Sequence, residues 1–233
     1  AAEKASRALI RDFGEIENLQ VQRKGPQDFV TNSDLKAEKI IIEELKKARP
    51  YYSILSEEKG SEINKDKNNT WIIDPIDGTI NFLHAVPHFA ISIALKSGDE
   101  IVSGVIYDPI KDEMFYAEKD NGAFFNNQRI RVSKKREIND CLFVTGRKSQ
   151  KEFDFQHRRS GSAALDMAYV AAGRYDGFFQ HELKIWDVAA GIIIIKEAGG
   201  IINDIDLSQT INLDVITSSP DIHQKMLEKI HNF

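Results

Sequence analysis

Two aspartates follow a run of apolar residues in the segment WIIDPIDGTINF, residues 71–82. Asp74 and Asp77 are separated by only two residues, so their carboxylates repel each other at the end of what reads as a buried strand. A cation bound between them removes that repulsion. Carboxylate oxygens are the ligands that Mg²⁺, Ca²⁺ and Mn²⁺ prefer, whereas Zn²⁺ favours cysteine and histidine. The spacing therefore indicates a site for a hard divalent cation.

Further acidic residues stand at the ends of predicted elements. Asp34 lies at a helix start, Glu57 follows a strand, and Asp187 precedes a helix. With no basic residue among them, such carboxylates are costly to bring together unless a cation neutralises them. The structural alternative is that Asp-Pro and Asp-Gly form ordinary turns, and that acidic helix starts only complement the helix dipole.

The motif DPIDGT also has the features of an anion site. Pro75 stiffens the turn, while Gly78 and Thr79 can offer backbone N–H groups at the start of a helix or turn. Metal ions beside an anion site are the components of metal-assisted phosphoryl hydrolysis, in which one ion activates the attacking water and another stabilises the leaving oxygen. In that chemistry Thr79 would orient the water.

The composition argues against nucleic-acid binding, a disulfide-stabilised secreted protein and membrane association. The net charge is −5 and no basic stripe is present, so direct nucleic-acid binding is not expected. Cys141 is the single cysteine, which excludes an intrachain disulfide and favours a reducing, cytoplasmic setting. No run of about 18 apolar residues is present, so no membrane association is expected. The N-terminus lacks a secretory signal and an initiator Met, and we expect the parent protein to begin some residues earlier.

The hydrophobic periodicity changes along the chain. Residues 1–13 and 34–48 have helical spacing, and between residues 88 and 132 short β-rich runs separated by turn signals indicate an antiparallel meander. Beyond Asp140 predicted strands and helices are mixed, and the last helix is expected to be capped by Ser219.

These patterns predict an α/β (α+β) fold in a single domain, residues 1–233. Its sub-halves are expected at about 1–135, with an antiparallel sheet plus helices, and at about 136–233, with α/β-like order. The polar residues 61–69 are interpreted as a loop that leads into a strand at Trp71.

Four blocks of the sequence together resemble the inositol monophosphatase family, of the lithium-sensitive, magnesium-dependent phosphatase superfamily, in its bacterial type. They are SEEKG, WIIDPIDGTINF, GSAALDMAYVAAGRYDGFF and WDVAAGIIIIKEAGG, which occur in the family's order, and the similarity covers nearly the whole chain. The resemblance implies a layered αβαβα sandwich, a homodimer, and hydrolysis of inositol monophosphate or a related small phosphomonoester by a metal-activated water. It also implies two or three Mg²⁺ ions, Mn²⁺ as a possible substitute, and inhibition by Li⁺ or Ca²⁺.

The resemblance further implies roles for individual residues. The implied metal ligands are Glu57, Asp74, Asp77, Asp187 and the backbone carbonyl of Ile76. The implied catalytic residues are Glu57 and the pair that would take the proton of the water, Asp34 and Thr79. The implied substrate-binding residues are Asp77, Gly78, Thr79, Ala163, Gln180 and Asp187, of which Gly78 and Thr79 would hold the phosphate.

Three departures from the family pattern concern the substrate. Ile80 stands where relatives usually have Thr or Ser, and Gln180 stands where many have Glu. The segment between Val144 and Arg158 is also shorter than usual. Inositol monophosphate, a sugar or nucleotide phosphate and fructose 1,6-bisphosphate therefore all remain open as substrates.

Three rival interpretations of the sequence lead to different predictions. A haloacid-dehalogenase phosphatase has one residue between its aspartates, whereas two separate Asp74 from Asp77. Cys141 and Arg147 have the spacing of a cysteine-phosphatase loop, but the intervening residues alternate like a strand, so Cys141 is expected to be buried and structural. The third is a non-catalytic or moonlighting regulatory partner of the RNA-processing or transcription machinery. The retention of every predicted carboxylate ligand favours the enzyme.

Overall fold

The computed structural model describes residues 1–16, 21–25, 28–146 and 154–230. The helices in this part of the chain are α1 (Ala2–Gly14), α2 (Asn32–Ala48), α3 (Thr79–Leu83), α4 (Ala163–Ala171), α5 (Ile185–Glu197) and α6 (His223–Ile230). The strands are β1 (Val21–Gly25), β2 (Asp28–Thr31), β3 (Tyr52–Ser56), β4 (Gly60–Glu62), β5 (Asp66–Asp77), β6 (Ala90–Ser97), β7 (Glu100–Asp108), β8 (Glu113–Glu118), β9 (Gly122–Phe125), β10 (Gln128–Arg129), β11 (Phe143–Val144), β12 (His157–Arg158), β13 (Gly177–Leu183), β14 (Ile201–Ile202) and β15 (Leu213–Ser218).

Two larger sheets organise these elements. The eight-stranded sheet has the order β10-β9-β8-β7-β6-β5-β3-β4, in which only the β3–β5 pair is parallel. Its run from β6 to β10 is the predicted antiparallel meander. The five-stranded sheet has the order β12-β11-β13-β15-β14 and mixes parallel with antiparallel pairs. Strands β1 and β2 form a separate hairpin.

Helices cover the sheets in layers. Leu9 of α1 and Ile41 of α2 pack with Ile73 and Ile91 on one face of the eight-stranded sheet. Helices α4 and α5 join a single buried cluster with residues of both sheets; every residue of α4 is buried, as expected for a helix covered on all sides. Met226 of α6 belongs to a third cluster with residues of the five-stranded sheet. The predicted αβαβα sandwich is therefore confirmed.

Helix α5 approaches the eight-stranded sheet closely at Gly104 in β7. A Cβ atom at this glycine would lie 2.7 Å from Cγ2 of Ile193 and 2.8 Å from the carbonyl oxygen of Ala190. The missing side chain therefore sets how near the helix can lie to the strand, and Asp187 is in the first turn of that helix.

Two local predictions were wrong. The polar segment that follows β3 is not a loop throughout, since part of it forms β4 and β5 begins at Asp66. Pairing with β3 and β6 satisfies the backbone there whatever the side-chain polarity. Ser219 is not the cap of the last helix, which begins at His223. The amide of Ser219 donates instead to the carbonyl of Asp176, which extends the end of β15.

Candidate metal centre

A β-bulge delivers both aspartates of the DPID motif to one place. Asp74 pairs with Ser92 and Asp77 pairs with Ala90, so β5 has one more residue than β6 between these pairs. Oδ1 of Asp74 accepts a hydrogen bond from the amide of Ile76 at 2.9 Å, which closes the bulge. Both carboxylates are buried, Asp74 at 1% exposure and Asp77 at 7%.

Gly78 ends the bulge in the left-handed region, with φ of +95°. A Cβ atom here would lie 3.2 Å from the carbonyl oxygens of Gly161 and His88. A side chain is thus disfavoured by backbone conformation and by space. The glycine lets the chain turn directly into α3, which begins with Thr79.

Asp187 approaches from the layer between the sheets. It lies in the first turn of α5, where its Oδ2 accepts a hydrogen bond from the amide of Lys184 at 2.9 Å. One carboxylate oxygen from each of Asp74, Asp77 and Asp187 lies within 4.8 Å of the others. These three predicted ligands are therefore brought together by two distant parts of the sequence.

Glu57 lies beside this triad. It directly follows β3, the parallel neighbour of β5, and its amide donates to the carbonyl of Ile73 at 3.2 Å. Its negative charge contributes to raising the pKa values of Asp74, Asp77 and Asp187. The fourth predicted carboxylate thus shares the electrostatic environment of the other three.

The expectation that no basic residue accompanies the carboxylates was wrong. Nζ of Lys184 lies 3.0 Å from Oε1 of Glu57. In the sequence this lysine stands three residues before Asp187, and α5 begins between them.

Burial and mutual repulsion raise the pKa values of these three aspartates. Burial is the main cause for Asp74 and Asp187, whose pKa values lie well above the ordinary range. The pKa of Asp77 is raised to about 6, mainly by burial, and hydrogen bonds from Ser162 and Ala164 limit the rise. Oxygen donors that repel one another in a buried site fit a hard divalent cation, whose charge removes the penalty.

Residues at the N-terminus of helix α4 donate hydrogen bonds to Asp77. Ser162 caps this helix, and its hydroxyl donates to Oδ2 of Asp77 while accepting from the amide of Leu165 at 3.3 Å. The amide of Ala164 donates to the same Oδ2 at 2.9 Å. Oδ2 of Asp77 therefore accepts two hydrogen bonds at a helix N-terminus, where a negative charge is favoured. Predicted substrate residue Ala163 lies between these two donors in sequence.

Ser162 was not identified as a site residue from the sequence. Replacing Ser162 with alanine is expected to weaken Mg²⁺ binding by about 10- to 100-fold, because a hydrogen bond that orients a metal ligand is lost. Isothermal titration calorimetry with Mg²⁺ measures this directly. The Ser162→Thr variant keeps the hydroxyl and should retain most of the affinity. Equal weakening in both variants would contradict the orienting role.

Asp34 and Thr79 lie in the described structure but do not bond to each other. Oδ2 of Asp34 accepts from the amide and hydroxyl of Thr31, at 2.8 and 2.5 Å, in a capping box at the start of α2. Oδ1 of Asp34 is buried without a hydrogen-bond partner, and burial raises the pKa of this carboxyl to about 6. The Thr79 hydroxyl donates to the carbonyl of Ile76 at 3.0 Å. Their joint role in accepting a proton stays a prediction.

Glu38 is a second residue that the sequence did not single out. It is fully buried, and its Oε1 accepts from the amides of Glu58 and Lys59, both at 3.2 Å. It thereby fixes the turn that follows Glu57. Its position four residues after Asp34 on α2 was the available signal, since residues at this spacing share a helix face.

The structure also describes Gln180 and Ile80, the two positions at which the sequence departs from the family pattern for substrate contacts. Gln180 lies in β13 and packs on Gly146, where an added Cβ atom would be 1.9 Å from Oε1 of the glutamine. Ile80 is 47% exposed. Residues 147–153, within the segment predicted to be shorter than in relatives, lie outside the described part of the chain.

Cys141 is buried, as predicted, and its Sγ donates to the carbonyl of Glu137 at 3.2 Å. Burial raises the pKa of the thiol to about 11. A thiol in this state does not provide the thiolate nucleophile of a cysteine phosphatase.

The raised pKa values predict a pH-dependent response to Mg²⁺. Asp34 and Asp77, with pKa values of about 6 against an ordinary 3.8, bind more protons in the folded than in the unfolded protein between about pH 4 and 6. As the pH rises through this window, the metal-free protein therefore loses the stabilisation that these two protonated carboxyls give to its free energy of unfolding. Mg²⁺ pairs with the ionised carboxylates, so its effect on the unfolding temperature should be small near pH 5 and larger near pH 7.5. Thermal unfolding with Mg²⁺ or EDTA tests this, and an effect independent of pH would contradict it.

The fold and site define a layered α/β protein with a buried carboxylate centre for divalent cations. The sequence profile of the inositol monophosphatase family matches residues 1–232. An inositol-1-monophosphatase of Caulobacter vibrioides is 45% identical, over 99% of this chain and 98% of its own length. The chain belongs to the inositol monophosphatase family and is a phosphatase.

Two further relatives extend this comparison. A crystal structure of the extragenic suppressor protein SuhB from Bartonella henselae has a TM-score of 0.91 and 46% identity, covering 98% of this chain and 94% of that one. A protein of Pasteurella multocida named Nus factor SuhB is 38% identical, over 99% of this chain and 92% of its own length.

Among the described residues, no helix is long and apolar enough to cross a membrane.

Proposed function

We propose that this chain is a Mg²⁺-dependent phosphomonoesterase that hydrolyses inositol monophosphate or a related small phosphomonoester with a metal-activated water. The observation that carries the proposal is the meeting of carboxylate oxygens from buried Asp74, buried Asp77 and half-buried Asp187 within 4.8 Å of one another. We further propose two or three Mg²⁺ ions, with Mn²⁺ as a substitute and Li⁺ or Ca²⁺ as inhibitors. Glu57 and the carbonyl of Ile76 complete the proposed ligand set.

Different residues of the protein would accept the proton, bind the phosphate and contact the substrate around these ions. Bound divalent ions supply activation of a water and stabilisation of the leaving oxygen. Oδ1 of Asp34, buried and unpartnered, is available to accept the water's proton, and its raised pKa suits a proton acceptor near neutral pH. Gly78 and Thr79 would bind the phosphate, while Asp77 and Asp187 would also contact the substrate.

The alcohol part of the substrate is proposed to contact Ala163 and Gln180. Because Gln180 is neutral where many relatives have a carboxylate, it donates as well as accepts hydrogen bonds, which suits a wider range of hydroxyl patterns. Fructose 1,6-bisphosphate and nucleotide phosphates are the alternative substrates to compare with inositol monophosphate.

The test is phosphate release across a panel of inositol, sugar and nucleotide monophosphates and fructose 1,6-bisphosphate, with Mg²⁺ or with EDTA. Turnover is expected only with Mg²⁺, and it should be lost in the Asp187→Asn variant. Asp221→Asn is the matched control, because the Asp221 side chain is 46% exposed and pairs with Arg136 at 3.7 Å, outside the metal centre. Absence of Mg²⁺-dependent turnover on every substrate would contradict the proposal.

A second candidate is a regulatory role as a partner of the RNA-processing or transcription machinery, which the name of the Pasteurella multocida relative favours. The net charge of −5 favours a protein partner over direct nucleic-acid binding. If this role coexists with catalysis, Asp187→Asn should abolish turnover and leave partner binding intact. We also propose a cytoplasmic homodimer on the family resemblance, with light scattering after gel filtration as the test of the dimer.

A further inference from the structure

Lys184 lies beside the candidate metal centre and places its own positive charge next to a proposed metal ligand. Its ammonium lies 3.0 Å from Oε1 of Glu57, and its amide donates to Oδ2 of Asp187 at 2.9 Å. The lysine side chain is 35% exposed, whereas that of Glu57 is only 13% exposed. Lys184 therefore contacts one proposed metal ligand through its side chain and another through its backbone, with a path to solvent.

The ammonium of Lys184 has a second favourable neighbour. It lies 5.5 Å from the centroid of the Trp186 ring, within the range of a cation–π contact. The lysine stem is flexible. The ammonium can thus leave Glu57 and keep contact with the ring or with water, at a lower cost than a fully buried lysine would have.

We propose that Lys184 is an internal counter-cation that neutralises Glu57 while no metal ion is bound and is displaced when a divalent ion binds. The inference rests on the proposed function, because it takes Glu57 and Asp187 as ligands of that ion. The ammonium and a divalent ion repel each other, and both are attracted to the oxygens of Glu57. Lys184 therefore stabilises the metal-free centre and lowers its affinity for the ion.

The experiment measures Mn²⁺ affinity and thermal stability in the Lys184→Met variant, which keeps an apolar stem and removes the charge. Mn²⁺ binding is measured by calorimetry and by the electron paramagnetic resonance signal of the free ion. The variant is expected to bind Mn²⁺ on the order of tenfold more tightly, because a repelling charge is removed. It should also unfold at a lower temperature in EDTA, but not at saturating Mn²⁺.

Two control variants separate charge from general effects on stability. Lys184→Arg keeps the charge and should bind Mn²⁺ as the native protein does. Lys135→Met removes a different lysine, whose Nζ lies 2.9 Å from Oδ2 of the buried Asp176, outside the metal centre. This variant should lose stability equally in EDTA and in Mn²⁺, with unchanged affinity.

Each outcome decides the inference. Equal or weaker Mn²⁺ binding by Lys184→Met overturns it, as does failure of that variant to fold at saturating Mn²⁺. A variant that folds only when Mn²⁺ is added supports it, because the ion then replaces the missing charge. If the native protein binds no Mn²⁺, both the inference and the proposed function fail, whereas native binding that the variant merely matches overturns the inference alone.

Discussion

Replacing Asp74 with asparagine is expected to abolish Mg²⁺-dependent phosphate release and to raise the unfolding temperature of the metal-free protein. The loss of activity should exceed about a hundredfold, the upper end of the cost of losing a group that only orients a ligand. The gain in stability follows from the buried charge, because Glu57, Asp77 and Asp187 all repel the Asp74 carboxylate. Asparagine keeps an oxygen for the amide of Ile76 while it removes the charge.

Phosphate release and thermal unfolding in EDTA at neutral pH measure the two effects of Asp74→Asn. Removing one buried, uncompensated charge is expected to return about 1–3 kcal/mol, or a rise of several degrees. The Asp221→Asn control, at an exposed site, should change neither quantity. A metal-free Asp74→Asn protein less stable than the native protein would mean that the carboxylate makes an essential structural contact, contrary to the electrostatic argument.

The second large effect is expected from Gly104→Ala, at a residue outside the metal centre. The added methyl group would lie 2.8 and 2.9 Å from the carbonyl oxygen and Cα of Ala190, which are backbone atoms of α5. Relief therefore requires the helix to move away from the sheet. Overpacking of this kind costs about 1–3 kcal/mol, and more when backbone must shift. Because α5 carries Asp187, we also expect weaker Mg²⁺ binding.

Denaturant unfolding and Mg²⁺ calorimetry test Gly104→Ala, and Gly14→Ala is the matched control. Gly14 at the end of α1 has nothing within 4 Å of an added Cβ atom, so the same chemical change meets open space. The control should keep both the stability and the Mg²⁺ affinity of the native protein. Unchanged Mg²⁺ affinity in a clearly destabilised Gly104→Ala protein would show that the position of α5 does not limit the metal centre.

The part of the metal centre that lies in one short segment could be predicted from the sequence. Asp74, Asp77 and Gly78 belong to one continuous motif, and the bulge between the aspartates is built from that motif with β6. Ser162, which acts across layers, was missed. Ser162 reaches Asp77 only because α4 packs beside the end of β5.

Lys184 and Glu38 show the same limit. The pairing of Lys184 with Glu57 joins residues from opposite halves of the chain, and no local pattern specifies that distance. Glu38 shares a helix face with Asp34, but that spacing alone does not show that this polar residue is fully buried or which amides it binds. The layered fold was predictable from the family resemblance and the periodicity, whereas the start of β5 was not, because strand pairing overrides polar composition.

The meeting of Asp74 and Asp77 from β5 with Asp187 from α5 also has a kinetic consequence. Segments so far apart in sequence come together only after long loops have closed, which is slow and entropically costly. We therefore predict that the complete ligand set forms late in folding, after the rate-limiting barrier has been crossed. Mg²⁺ should then leave the refolding rate nearly unchanged and slow unfolding, so that the ion prolongs the lifetime of the native state without helping the chain to reach it.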